Sequence, residues 1–87
     1  GNPDKAIDLY SNAIKTEPTL VAAYFGRSLA FLDKRLLELA VSDLTKAIAL
    51  APNEPAYHQN RGLANAELAK YDEAIADLTT SLRLKPK

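Results

Sequence analysis

Cysteine is absent from this 87-residue chain, which excludes disulfides and thiolate metal sites and leaves the redox compartment unreadable. Charge of one sign is missing too: 11 Lys and Arg balance 11 Asp and Glu. The balance holds locally, with Lys5 and Lys15 set against Asp4, Asp8 and Glu17 in residues 1–18. A chain with no basic stripe has nothing to neutralise a run of phosphates, so nucleic acid is not an expected partner. Glycine numbers only three, and none sits in a phosphate-cradling run. No apolar run approaches the ~18 residues of a spanning helix, so membrane insertion is not expected. The single histidine, His58, has no Ser, Cys or paired ligand beside it to build a triad or a zinc site. Neither a metal, a cofactor nor an enzymatic activity is therefore expected. The chain opens Gly1-Asn2, without methionine or a signal-like start, and the expectation is a segment cut from a longer protein with Gly1 a cloning remnant.

What is present is ordinary for one small soluble domain: 47% hydrophobic and 25% charged residues. The compartment is not encoded, with the cytoplasm favoured. The informative feature is repetition. AVSDLTKAIALAP, Ala40 to Pro52, returns 34 residues on as AIADLTTSLRLKP and appears 34 residues earlier as AIDLYSNAIKTEP. A constant step of this size marks stacked supersecondary units.

The chain reads as five helices with no strand signal. Asn2-Pro3-Asp4 is a helix start, an Asn cap followed by Pro at the first position and an acid in the first turn. Ala6, Ile7, Tyr10, Ala13 and Ile14 then recur at helical spacing up to Pro18. Thr19 is expected to cap a second helix over about 20–33, carrying Ala23, Tyr24, Phe31 and Leu32 inward. A third covers about 36–51, with Leu37, Ala40, Val41, Leu44, Ala47 and Ile48 on its buried side. Asn53 is expected to cap a fourth reaching about Ala69, and a fifth runs from Tyr71 or Asp72 to Leu84, ended by Pro86. The 32–37 stretch contains neither Gly nor Pro, so a form in which the second and third helices fuse is an expectation to be tested. Lys70-Tyr71-Asp72 has the same character.

Residues 21–52 and 55–86 resemble the tetratricopeptide repeat. Tyr24, Ser28 and Phe31 fill the first-helix places of one unit, with Ala40, Leu44, Ala47 and Pro52 in its second helix. Gly62, Tyr71, Ala74, Leu78, Ser81 and Pro86 do so in the next. His58 stands where an aromatic belongs, Asn65 where a tyrosine belongs, and Arg27 and Arg61 replace a leucine. The resemblance implies an all-α right-handed superhelix in a single array: a half repeat over 1–18, then repeats over 19–52 and 53–87. It also implies a scaffold that binds a protein or peptide partner in a concave groove lined by the first helix of each unit.

The groove-facing places fall on Ala22, Phe25, Gly26, Leu29 and Asp33, then on Ala56, Gln59, Asn60, Leu63 and Glu67. Phe25 faces either a partner or a neighbouring unit. Asn60 is suited to hydrogen-bond an extended peptide backbone. A grip on a terminal carboxylate needs Lys or Asn where this chain has Ala22, Gly26 and Ala56, so that mode is not expected. Arg27 with Asp43, and Arg61 with Asp77, recur as an opposite-charge pair and should tie helices together. His58 should fill the aromatic place. Close crossings are expected at Gly62 over Ala74 and Ser28 over Ala40.

The two ends of the array are left open. Ile7, Tyr10 and Ile14 on one side, and Ile75, Leu78 and Leu82 on the other, form apolar stripes suited to further units or to self-association. Homo-oligomerisation or helix exchange of this chain is the alternative function.

Overall fold

The computed structural model describes residues 2–85; Gly1 and the helix-ending role of Pro86 lie outside them. Five helices follow one another: α1 (Pro3–Thr16), α2 (Val21–Asp33), α3 (Leu37–Leu50), α4 (Pro55–Glu67) and α5 (Tyr71–Leu84). Among the described residues there is no strand. Each helix packs chiefly on its neighbours in the chain, giving an all-α solenoid of 33 × 24 × 19 Å.

Asn2 caps α1 as its sequence requires, its Oδ1 accepting from the amides of Asp4 at 3.0 Å and Lys5 at 3.4 Å. Two other expected caps are not used. The N-cap of α2 is Leu20 rather than Thr19, and that of α4 is Glu54 rather than Asn53, neither with a side-chain bond. The backbone turns supply the order instead. The Leu20 amide donates to the Glu17 carbonyl at 3.1 Å. Pro55, at the first position of α4, has a preset φ and no amide to satisfy.

The stretch free of Gly and Pro does contain a turn, which disposes of a fused α2–α3 helix in this structure. The Leu36 amide reaches back to the Phe31 carbonyl at 2.9 Å and that of Arg35 to Leu32 at 3.0 Å. This is the Schellman closure, and it needs a left-handed residue. Arg35 takes that conformation at φ 62°, as does Ala69 at φ 62° after α4. There the Lys70 amide bonds the Asn65 carbonyl at 2.8 Å and that of Ala69 bonds Ala66 at 3.0 Å. Without glycine, each site costs about 1 kcal/mol or more, so packing between helices imposes the turns.

That packing is close because the interior is small. Six of the eight buried hydrophobic residues among those described are alanine, leaving only Tyr24 and Leu44 as large side chains. Leu44 is fully enclosed, a burial contributing about 2 kcal/mol. Phe31, Leu32, Leu37, Val41 and Ile48 are only half-buried, whereas Ala30 is part of the core. The two expected crossing points differ in detail. A Cβ on Gly62 would meet Leu78 Cγ at 2.9 Å and Asp77 Cβ at 3.1 Å. The glycine therefore faces residues a turn beyond Ala74. Ser28 and Ala40 are both fully buried, and the Ser28 hydroxyl turns back to the Phe25 carbonyl at 2.6 Å.

Two polar devices recur with the 34-residue step. Tyr24 donates its hydroxyl to the Pro18 carbonyl at 2.8 Å, and His58 Nε2 lies 2.8 Å from the Pro52 carbonyl. Since that carbonyl only accepts, Nε2 carries the proton and His58 does what tyrosine does one unit earlier. Arg27 clasps Asp43 with two bonds, Nε to Oδ2 at 2.8 Å and Nη2 to Oδ1 at 2.7 Å, while Nη1 donates to Ser11 Oγ at 3.1 Å. Arg61 repeats this on Asp77, with both bonds at 2.8 Å, and on Thr45 Oγ1 at 3.1 Å. Each arginine thus joins three consecutive helices through a forked, charge-assisted contact. The carboxylate bond raises the pKa of Arg27 and Arg61 above the ordinary arginine value, against the opposing effect of burial.

Candidate interaction groove

The groove-facing residues assigned from sequence lie on α2 and α4, 34 positions apart, so consecutive units present matching places. The structure treats them unequally. Leu29 and Leu63 are open to solvent, at 43% and 50% exposure. Ala22, Asp33 and Glu67 are also exposed, while Ala56, Gln59 and Asn60 are half-buried. Among the described residues no hydrogen bond engages the Asn60 side-chain amide. Glu67 is held in an ion pair with Arg35, the left-handed residue of the α2–α3 turn.

Phe25 is half-buried, and its ring lies against Tyr57 of the next unit, centroids 4.8 Å apart and planes tilted by 47°. Such a tilted pair contributes about 1 kcal/mol. Phe25 thereby fastens α2 to α4. Tyr57 was not singled out from sequence, although its place beside His58 resembles that of Phe25 beside Tyr24.

Gly26 has no side chain to offer a ligand, and its surface is taken. A Cβ there would fall 2.3 Å from Tyr10 Cζ, so the absent side chain is what lets the α1 tyrosine lie across α2. Tyr10, assigned from sequence to self-association, is consequently half-buried and belongs to the wall of this groove. Ile7 and Ile14 are half-buried as well. At the other end Leu78 turns in against Gly62, while Ile75 and Leu82 stay 63% and 71% exposed.

Two clefts result. One, of about 550 Å³, lies between α1 and α2 and is lined by Tyr10, Gly26, Leu29 and Asp33 together with Ala6 and Leu32. The other, of about 200 Å³, lies between α2 and α4 and is lined by Leu32, Asn60, Leu63 and Glu67 with Arg35 and Ala64. The fold therefore gathers six of the eight groove residues into two neighbouring clefts and leaves Phe25 and Gln59 outside them. Leu32 lines both, a role its sequence place in the core stripe did not signal. Arg35 enters through the turn geometry alone. Among the described residues no group of His, Asp and Glu could hold a metal ion. No helix is long and apolar enough to cross a membrane.

The neighbourhood of this chain among known proteins is consistent. It is 35% identical to human Tetratricopeptide repeat protein 13, over 95% of this chain and 10% of that protein. It is 34% identical to human Serine/threonine-protein phosphatase 5, over 95% of this chain and 17% of that protein. The chain thus spans under a fifth of these curated relatives. Among solved structures, the first TPR of Spaghetti (RPAP3), bound to HSP90 peptide SRMEEVD, superposes with a TM-score of 0.95 at 30% identity, covering 100% of this chain and 69% of that one. The Arabidopsis OM64 TPR domain superposes with a TM-score of 0.92 at 34% identity, covering 98% and 70%. Tetratricopeptide-repeat profiles match residues 1–55 and residues 55–87. With the 34-residue step, the helical pairs and these matches together, the chain belongs to the tetratricopeptide repeat family.

Proposed function

We propose that this chain is a non-catalytic protein-interaction module that holds a partner peptide or helix along α2 and α4. The observation that carries the proposal is the pair Leu29 and Leu63, exposed on matching places of consecutive units in a fold whose interior is mostly alanine. Exposed leucines beside clefts offer apolar side chains somewhere to bury, each contact contributing about 1–2 kcal/mol. Asn60, between them, has one donor and one acceptor to spend on a peptide backbone. The peptide bound to the structurally similar Spaghetti (RPAP3) domain supports this kind of partner. A grip on a chain-terminal carboxylate is not the mode proposed, because Ala22, Gly26 and Ala56 carry no donor side chain. The division into a half repeat over 1–18 and repeats over 19–52 and 53–87 is part of the same reading.

A phage-displayed library of linear peptides tests it. Selected peptides should carry apolar anchors and should lose at least about tenfold in affinity on Leu29→Asp and on Leu63→Asp, with helical circular dichroism unchanged. Peptides that bind both variants as well as the parent chain sink the proposal.

A second reading rests on Ile75 and Leu82, which are largely exposed on α5: the ends of the array mediate association between copies or with further units. Sedimentation that reports a monomer at millimolar concentration removes the homo-oligomer form of that reading.

A further inference from the structure

We infer that the exposed stripe Tyr71, Ile75, Thr79 and Leu82 of α5 is a docking seat for one further helical hairpin, which it recognises through an arginine delivered to the Thr79 hydroxyl. The inference deepens the second reading above and does not depend on the peptide groove. Its ground is that the same stripe occurs twice more in this chain and is occupied both times. On α1 the corresponding residues are Pro3, Ile7, Ser11 and Ile14, seated under α2; on α3 they are Leu37, Val41, Thr45 and Ile48, seated under α4. In those two copies the branched residues Ile7, Ile14, Val41 and Ile48 are half-buried. In the third copy Tyr71, Ile75 and Leu82 are 63%, 63% and 71% exposed.

The hydroxyl makes the seat selective. Ser11 accepts from Arg27 at 3.1 Å and Thr45 accepts from Arg61 at 3.1 Å, the arginine coming from the helix laid on the stripe. In both cases the same guanidinium is clasped by an aspartate 16 residues further on, in the second helix of the arriving hairpin. Thr79 stands 34 residues after Thr45, exposed, in the same register. The partner that fits therefore has an amphipathic first helix with an arginine and a second helix with a carboxylate that holds it. An arginine without that carboxylate would be partly buried with only a hydroxyl for company, so a bare amphipathic helix fits less well.

The seat has a direction. On α1 the place of Asp43 and Asp77 is held by Leu9, so the clasp cannot be continued at that end of the array. An intact second copy does not supply the occupant either. Its Arg27 and Arg61 are already committed to Ser11 with Asp43 and to Thr45 with Asp77. The hairpin comes from outside residues 1–87.

The test joins a second copy of Pro52–Lys85 after Lys85, in the 34-residue register, and follows amide hydrogen exchange across α5. In the extended chain, exchange over Tyr71–Leu84 should slow at least about tenfold relative to the parent chain. Ile75→Asp should abolish that gain and Thr79→Val should cut it, while neither substitution changes exchange in α1–α3 of the unextended chain. Replacing the appended copy of Arg61 by methionine should cut the gain as Thr79→Val does. No slowing on extension, or slowing indifferent to all three substitutions, overturns the inference. So does a concentration-dependent assembly of the unextended chain that Ile75→Asp disperses, since the seat would then belong to a second copy.

Discussion

Removing either partner of the Arg27–Asp43 clasp should destabilise the chain unequally, and the inequality can be worked from the burial of each. The Asp43 side chain is 6% exposed and that of Arg27 is 23% exposed. In Arg27→Met the carboxylate loses both of its donors and cannot turn to water, a loss of about 3 kcal/mol. In Asp43→Leu the guanidinium keeps the Ser11 hydroxyl and the face of Phe31, whose centroid lies 5.7 Å away. It can also swing outward, so that loss should be about 1.5 kcal/mol. With both replaced by apolar side chains no charge is stranded, and the double variant should lie about 1.5 kcal/mol below the parent. The coupling energy is then about −3 kcal/mol, at the upper end for contacting pairs. For 87 residues a total stability of roughly 4–13 kcal/mol is expected, so all four chains should remain measurable in urea. The assay is helical circular dichroism against denaturant, comparing midpoints at an unchanged slope. The reasoning is refuted if Asp43→Leu costs as much as Arg27→Met, or if the double variant equals the sum of the two. The same cycle at Arg61 and Asp77, where the side chains are 23% and 8% exposed, should give the same order.

Ala69→Gly should stabilise the chain by about 1 kcal/mol in a urea titration, because it relieves a left-handed residue. Arg35→Gly should gain less, since it also removes the ion pair with Glu67. Gly26→Ala should fail to deliver the usual helix gain of about 1 kcal/mol while Tyr10 covers it. In a Tyr10→Ala background the same change should stabilise, and equal effects in both backgrounds would contradict the Tyr10–Gly26 contact. His58→Tyr should keep stability within about 1 kcal/mol, its hydroxyl reaching the Pro52 carbonyl as Tyr24 reaches Pro18. His58→Ala should cost about 2 kcal/mol or more in the same titration.

The local code for helices is strong in this chain, which is why so much of the fold could be read without coordinates. Apolar spacing located five helices to within a residue or two at most ends, and Asn2-Pro3 described its cap correctly. The repeated arginine and aspartate announced a tie between helices, because opposite charges recurring at one step are hard to explain otherwise. Reading failed where geometry outranked propensity. Thr19 and Asn53 have the right chemistry for caps, yet the helices begin beyond their reach, set by backbone turns and by Pro55. Arg35 and Ala69 give no turn signal, and their left-handed conformation exists because the packed helices demand it.

The candidate groove divides in the same way. The 34-residue step of the linear chain was enough to establish a stacked helical array and to put Leu29, Asn60 and Leu63 on one kind of surface, since periodicity alone sets which residues share a helix face. How much of that surface stays open was decided only when the helices closed on one another. Tyr10 crosses onto Gly26, Phe25 meets Tyr57, and Leu32 and Arg35 come to line clefts between α1, α2 and α4. Those contacts join residues distant in the chain, and no local pattern encodes the distance at which two helices come to rest.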